Sequence, residues 1–279
     1  MTALSARAAA RYHRALSAGE LLLESSFGRS LQPALSEMYR RPIEANLTRM
    51  AEQSRDEVVR SVLGYYRERP DVLEPARAAL GRYGRGGFEL GGQMGLETLE
   101  LEGQFVLGDG HIEGALAEHA GRLLSTTRQA QLSVAVTTAE EIGRAVEKQR
   151  ENGLSAVEML PVLSAWVLGR TVIRSANIAA TESVRMTRWG MVWAFVGNGI
   201  GGVRHECAGD VERRCNGLCP PLCGVEFGLR GVFNPMGGIA SGDRIPLHPG
   251  CRCWYSPLTD GWVKPALSWT GCALGLLAD

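Results

Sequence analysis

Between Cys207 and Cys253 the chain places six of its seven cysteines, with His248 among them. The stretch reads HECAGDVERRCNGLCPPLCGVEF, then a Gly-rich run, then IPLHPGCRCWYSP. Thiolates and an imidazole are ligands that Zn²⁺ takes in a tetrahedron. In a segment with few apolar side chains, the binding energy of such an ion becomes folding energy. Cys215–x3–Cys219 and His248–x2–Cys251–x–Cys253 can each supply two ligands from one tight turn. The preferred set is Cys215, Cys219, His248 and Cys251. Cys253 rivals His248, because Cys-x-Cys also chelates one ion, and Cys207 and Cys223 are outsiders able to replace the first pair. Four such ligands leave no position for a water nucleophile, so a single Zn²⁺ here is expected to be structural rather than catalytic. Disulfide pairing and a set of unrelated buried thiols are the alternatives.

The elements that must position this segment are mainly helical. A weakly amphipathic pattern runs from Leu4 to Gly28, and Pro33 and Pro42 mark possible starts for the next helix. Ile43, Leu47, Met50, Val58, Val62 and Tyr65 keep helical spacing over 43–66. Arg82–Gly95 (RYGRGGFELGGQMG) reads as a Gly-rich loop or hinge. Ile112, Ala115, Leu116, His119, Leu123, Leu124 and Ala130 define one helical face within 111–135. Thr138–x–x–Glu141 reads as a capping box opening a helix that Gly153 closes, and Ser155–x–x–Glu158 as a second box opening the longest helix, to about Val196. The short link at Asn152–Gly153–Leu154 implies an antiparallel helical pair. From Gly197 helical periodicity stops, and loops with short strands are expected around the metal. The expected fold class is therefore mainly α: a helical N-terminal region (1–85), the helical core with its long hairpin (86–200), a small Gly/Pro-rich α+β zinc-stapled module (201–257) and an aromatic tail (258–279).

A resemblance joins two of these regions. Asp210, Cys215, Cys219, Leu222–Gly224, Pro246, His248–Pro249 and Cys251–Arg252–Cys253 resemble the closing motif of the phage Mu F-like minor head proteins, the phage head morphogenesis family. The second half fits well. The first half carries one extra residue before Cys215 and another between Cys215 and Cys219, and Cys223 stands where the family often has Asp. Arg174, Ile178, Thr181, Glu182 and Arg185 in the long helix resemble the family's Arg-Ala-x2-Ile-Ala-Arg-Thr-Glu stretch, with Ala180 where Arg is usual. The match covers about 110–257, and residues 1–109 carry little that is diagnostic. The resemblance implies a minor capsid protein of the virion head, present in the host cytoplasm during assembly. It would assist head assembly near the portal by binding portal and/or major capsid protein, be packaged with or ejected alongside DNA, and have no catalytic activity.

Composition bounds the other classes. Thirty basic residues balance thirty acidic ones, and the last 80 residues carry seven of each. No global field draws in DNA or an anionic membrane, so DNA binding is expected to be weak or absent. Trp189–Val203 and Ala266–Ala278, the longest apolar runs, fall short of a bilayer span, and no membrane partner is expected. Clustered thiols fit a reducing cytoplasm, where they bind metal more often than they pair. A phage-derived enzyme or toxin and a zinc-stabilised nucleic-acid-binding module are the alternative functions. Glu100–x–Glu102 has the spacing of the paired glutamates of ADP-ribosyltransferases, without the supporting elements. His205–Glu206 lacks the zinc-deaminase spacing. Glu182 is expected to pair with Arg185 or Arg174, or to anchor the metal module to the helix.

Overall fold

The computed structural model of the protein describes residues 3–101, 109–130, 133–206, 223–229, 233–234, 238–239 and 253–259. Among them the fold is mainly α. The helices are α1 (Ala3–Glu52), α2 (Arg55–Glu68), α3 (Glu74–Thr98), α4 (Asp109–Leu123), α5 (Val134–Glu151) and α6 (Ala156–Gly197), with a 3₁₀ turn at Pro70–Val72. Short strands follow: β1 (Gly202–Glu206), β2 (Glu226–Gly228), β3 (Phe233–Asn234), β4 (Gly238–Ile239) and β5 (Trp254–Pro257).

Several readings of the sequence are corrected here. Pro33 and Pro42 do not start helices; both lie inside α1. Each ring forfeits a hydrogen bond at about 3 kcal/mol. Burial of Leu31, Leu35, Met38, Tyr39 and Ile43 on one continuous face outweighs that loss. The 43–66 helix is instead divided at Ser54, whose N–H donates to Glu57 Oε2 at 2.8 Å in a capping box opening α2. Thr138 and Glu141 do not cap α5. Ser133 does, its Oγ accepting from the Val136 N–H, while the Thr138 hydroxyl donates to Val134 O inside the helix. Arg82–Gly95 is not a loop but the middle of α3, and the face read within 111–135 ends with α4 at Leu123, leaving Leu124 and Ala130 in the turn that follows.

Other signals hold. Gly153 ends α5 at φ +74°, with Leu154 N–H donating to Gln149 O and Gly153 N–H to Arg150 O, the hydrogen bonds of a Schellman cap. Ser155 N–H and Oγ donate to Glu158 at 2.9 and 2.6 Å and open α6, which runs 42 residues to Gly197 with Pro161 inside it.

The chain forms two units. One comprises Phe27–Gly81 and Ala117–Ala176. Here α2 packs Val58, Val59, Val62 and Leu63 inward, and α5 does the same with Ala135, Ile142 and Val146. Gly143 lets them close: a β-carbon there would stand 3.0 Å from Val59 Cγ2 and 3.2 Å from Arg55 O. Tyr66 donates its buried hydroxyl to Met38 O at 2.6 Å, tying α2 to α1.

The other unit comprises Met1–Ser26, Arg82–Leu116 and Asn177–Asp279. Its centre is a seam between α3 and the second half of α6. Gly84, Gly87, Gly91 and Gly95 recur at i, i+3, i+7 and i+11, one face of a helix. A β-carbon on Gly91 would lie 1.8 Å from Thr187 O, and one on Gly190 would lie 1.9 Å from Phe88 O. The two backbones are in contact, with no room for a side chain between them. Each helical glycine costs up to about 1 kcal/mol relative to Ala, which this close packing offsets. Phe88, Ile112, Leu116, Met186, Trp189 and Trp193 form a buried cluster alongside. The sheet has the order β2-β1-β5, antiparallel throughout, with Arg204 opposite Glu226 and His205 opposite Tyr255. β3 and β4 pair separately.

Candidate functional site

Two buried polar groupings lie on α6, one in each unit. In the first unit the Glu141 carboxylate, on α5, receives Arg170 Nε at 3.0 Å, Arg174 Nη1 at 3.3 Å and the Tyr39 hydroxyl. Arg174 is only 7% exposed, and its donors reach the Tyr39 hydroxyl at 2.6 Å, Thr138 Oγ1 at 2.7 Å and Val134 O at 2.9 Å. Trp166 meets the Tyr39 ring edge-on at 5.4 Å. The spacing of Glu141 from Arg170 across the Gly153 turn is that of the antiparallel helical pair. Desolvation pushes the Glu141 carboxyl up, but the Arg170 hydrogen bonds, the Arg174 charge and the Tyr39 hydroxyl together hold it below its ordinary value. Burial, opposed by Arg174 and reinforced by Glu141, pushes the Tyr39 phenol up to about 12. At neutral pH Glu141 is therefore an anion and Tyr39 a donor. Neither is poised to exchange a proton near pH 7, so the cluster holds charge in place rather than moving it.

In the second unit Glu182 of the long-helix motif is buried, and Arg185 beside it is half-buried. Glu182 and Arg185 form an ion pair with side chains 6% and 16% exposed, the pairing expected from their spacing. One turn further on, Arg188 is buried and donates from Nε to Cys253 O at 3.0 Å. Burying a guanidinium costs several kcal/mol unless its donors are satisfied, so this bond fixes where the start of β5 can lie. On β1, Val203 and His205 are buried, as are Tyr255 on the neighbouring strand and Cys253 just before it. The His205 ring meets Tyr255 edge-on at 6.0 Å. On the other face Arg204 pairs with Glu226 at 2.6 Å, and Ser256 donates to Glu206 at 2.6 Å.

Of the expected metal ligands, Cys253 alone is described. It is wholly buried and outside any disulfide. Cys215, Cys219, His248 and Cys251 lie outside the described residues, as does Cys207. Cys223 is disulfide-bonded, which removes it from the pool of ligands. His119 is buried in α4, a core position as its spacing suggests. Glu100 has φ +54° just past the end of α3, and Glu102 lies outside the described residues.

Sequence reasoning missed Tyr39, Arg170 and Arg188, and weighed His205 only against zinc-deaminase spacing. For the burial of Arg174 and Glu141 a signal existed. Arg174 continues the buried stripe Leu163, Val167 and Thr171, and Glu141 lies in line with Val134 and Thr138. A charge on an apolar stripe announces a buried partner. No family model, no curated protein and no solved structure matches this chain.

Proposed function

We propose that this chain is a phage minor head protein that binds portal and/or major capsid protein and stabilises its C-terminal segment with one structural Zn²⁺. It acts in the virion head, after assembly in the host cytoplasm, without catalysis and with little or no DNA contact. The observation that carries the reading is the buried bond from Arg188 to Cys253 O. Arg188, three residues past the last residue of the long-helix motif, thereby meets Cys253, the last residue of the Cys-Arg-Cys stretch, 65 residues further along the chain. That proximity supports reading the two stretches as parts of one region. Thiolates and imidazole from Cys215, Cys219, His248, Cys251 and Cys253 suit Zn²⁺, and the burial of Cys253 suits a closed structural site. When bound, the ion would supply cross-linking energy; the chain's own part is to bring the ligand pairs together and exclude water.

The test is metal analysis of protein purified under reducing conditions, combined with a portal pull-down. One Zn²⁺ per chain and co-purification with portal are expected. Cys251→Ser should release the metal and make the C-terminal 80 residues protease-sensitive while the helices persist, because about 10 kcal/mol of apparent metal binding is at stake. A metal-free protein with no portal association overturns the reading. Tight DNA binding that survives physiological salt would move it to the nucleic-acid-binding alternative.

A further inference from the structure

The first half of α6 is apolar on both sides. Met159, Leu163 and Val167 are buried in the core of its unit. On the opposite side Val157, Leu168, Val172 and Ile173 stand 84, 67, 51 and 56% exposed, with Val162 at 41%; Leu160, at 40%, lies at the edge of the buried side. At about 100° per residue, Val157, Pro161, Ala165, Leu168 and Val172 fall within an arc of about 80°. Val162, Gly169 and Ile173 form the next row. An 18-residue stretch of α6 reaches a mean hydropathy of 1.4, with only 22% of it buried. Unbroken apolar runs had not revealed it, because Glu158 and Arg170 interrupt the stretch. A helix apolar all round is normally covered all round.

We propose that a second copy of this chain covers this face, through an antiparallel pairing of the two α6 helices about a two-fold axis near Ala165. Three observations select that occupant. The first is area: the five exposed aliphatic side chains of this face present about 500 Å², so two copies bring together about 1,000 Å², the size at which an interface becomes specific. The second is charge. Glu158 is the one ionisable residue among the outward positions, near one end of the helix, and the nearby Arg170 is tied to Glu141. Two copies therefore meet without like charges at the centre. A bilayer surface would instead favour a rim of Lys and Arg with aromatic anchors, and the exposed side chains of this face are aliphatic. The third is shape. Ala165 and Gly169 lie one turn apart, and a β-carbon on Gly169 meets nothing within 4 Å. A second helix can therefore approach closely there, as α3 does at Gly190 further along the same α6. Because the face is its own complement, the contact is isologous and closes as a dimer.

The experiment is sedimentation velocity of the full-length protein in parallel with flotation on phosphatidylcholine and on phosphatidylserine-containing vesicles. It is run on wild type, Leu168→Glu, Val172→Glu and, as a bulk probe, Gly169→Leu. Wild type is expected to be a dimer at micromolar concentration. Each Glu variant should dissociate at least 100-fold more readily and Gly169→Leu at least 10-fold, with helical content and melting temperature of the monomer unchanged. None of the four should float with either vesicle. A monomeric wild type at 100-fold higher concentration overturns the proposal, as does a dimer indifferent to Leu168→Glu. Vesicle binding by wild type that Leu168→Glu abolishes would assign the face to a membrane instead.

Discussion

The two halves of α6 have similar compositions and opposite fates. From Ala156 to Ala176 the helix buries one stripe and leaves Val157, Leu168, Val172 and Ile173 in water. From Asn177 onward Met186, Trp189, Met191, Val192, Trp193, Ala194 and Phe195 are all buried, on every side of the helix. The difference lies in the neighbour rather than in α6. In the second half α3 offers a row of glycines that lets its backbone touch Thr187 and Gly190, and β5 presents the Cys253 carbonyl to Arg188. The first half has α5 along its inner side, held by the Glu141 cluster. Apolar content sets what a helix can bury; small residues on the opposing element decide how closely it is covered. Both halves also hide guanidinium groups, but toward different ends. Arg174 meets a carboxylate and a phenol, whereas Arg188 reaches a backbone carbonyl and so helps fix a chain segment.

The sharpest way to break the second half is at the seam. Gly91→Leu would place a side chain where Thr187 O already lies 1.8 Å from the β-carbon position. Backbone on both sides cannot yield, so the α3–α6 pair must separate. A loss above about 4 kcal/mol is expected, the range reserved for severe core lesions. Limited proteolysis and thermal unfolding read it: cleavage within 82–98 should appear while fragments spanning α5 and the first half of α6 persist. A variant that melts like wild type would mean the helices do not meet there.

The first half breaks at Glu141. Glu141→Gln keeps the shape and removes the charge, leaving Arg174 buried beside a neutral amide. A loss of about 3 kcal/mol is expected from the buried partner. Arg170, with a side chain 38% exposed, is screened by solvent and adds little. The carboxyl titrates below its ordinary value in the fold. Its stabilisation is therefore complete above about pH 4.5 and drains away as the pH falls through the lowered folded value. Tyr39 works in the opposite sense. Its folded value of about 12 lies above the ordinary one, so its contribution is complete below about pH 10 and is lost as the pH rises through 12. Melting temperature against pH should show both limbs in wild type, and the acid limb should flatten in Glu141→Gln. An unchanged acid limb would place the titrating group elsewhere.

This comparison also shows what the sequence could reveal. Helix ends governed by local chemistry were legible: Ser155 with Glu158, Gly153 at positive φ, and the end of α6 near Gly197. Features decided by a distant neighbour were not. The glycines of α3 carry a turn signal by composition, and only the presence of α6 against them makes a helix of that segment. Thr138 and Glu141 have capping-box spacing, yet Glu141 is claimed by Tyr39 and Arg170 from other helices, and the cap falls to Ser133. Pro33 and Pro42 look like breaks because their cost is local, while the burial that outweighs it comes from the whole face of α1. The pairing of Glu182 with Arg185 was legible because it spans one helical turn. The bond from Arg188 to Cys253 spans 65 residues and had no local trace.

A gentler probe of the same contrast is Arg188→Met. Methionine fills much of the volume and removes the donor to Cys253 O, so the start of β5 loses its anchor while α6 stays packed. A loss of about 1–3 kcal/mol is expected, the cost of an unsatisfied buried carbonyl. Amide exchange should rise in 253–257 and 202–206 and stay as in wild type at α2 and α5. Uniform exchange across both regions would mean that the strand is held by other contacts.

The smallest effect should come from glycines that no neighbour requires. Gly64 in α2 and Gly81 in α3 are helical, and a β-carbon on either meets nothing within 4 Å. Alanine there removes backbone freedom from the unfolded chain without a clash, so each of Gly64→Ala and Gly81→Ala should stabilise by about 0.5–1 kcal/mol. Gly91→Ala, three helical turns from Gly81, should destabilise instead, because its methyl group meets Thr187 O. The sign change between positions 81 and 91 of one helix, read as melting temperatures of single variants, separates a glycine kept for contact from one that is merely tolerated. If all three substitutions stabilised, the seam would not be as close as the backbone positions place it.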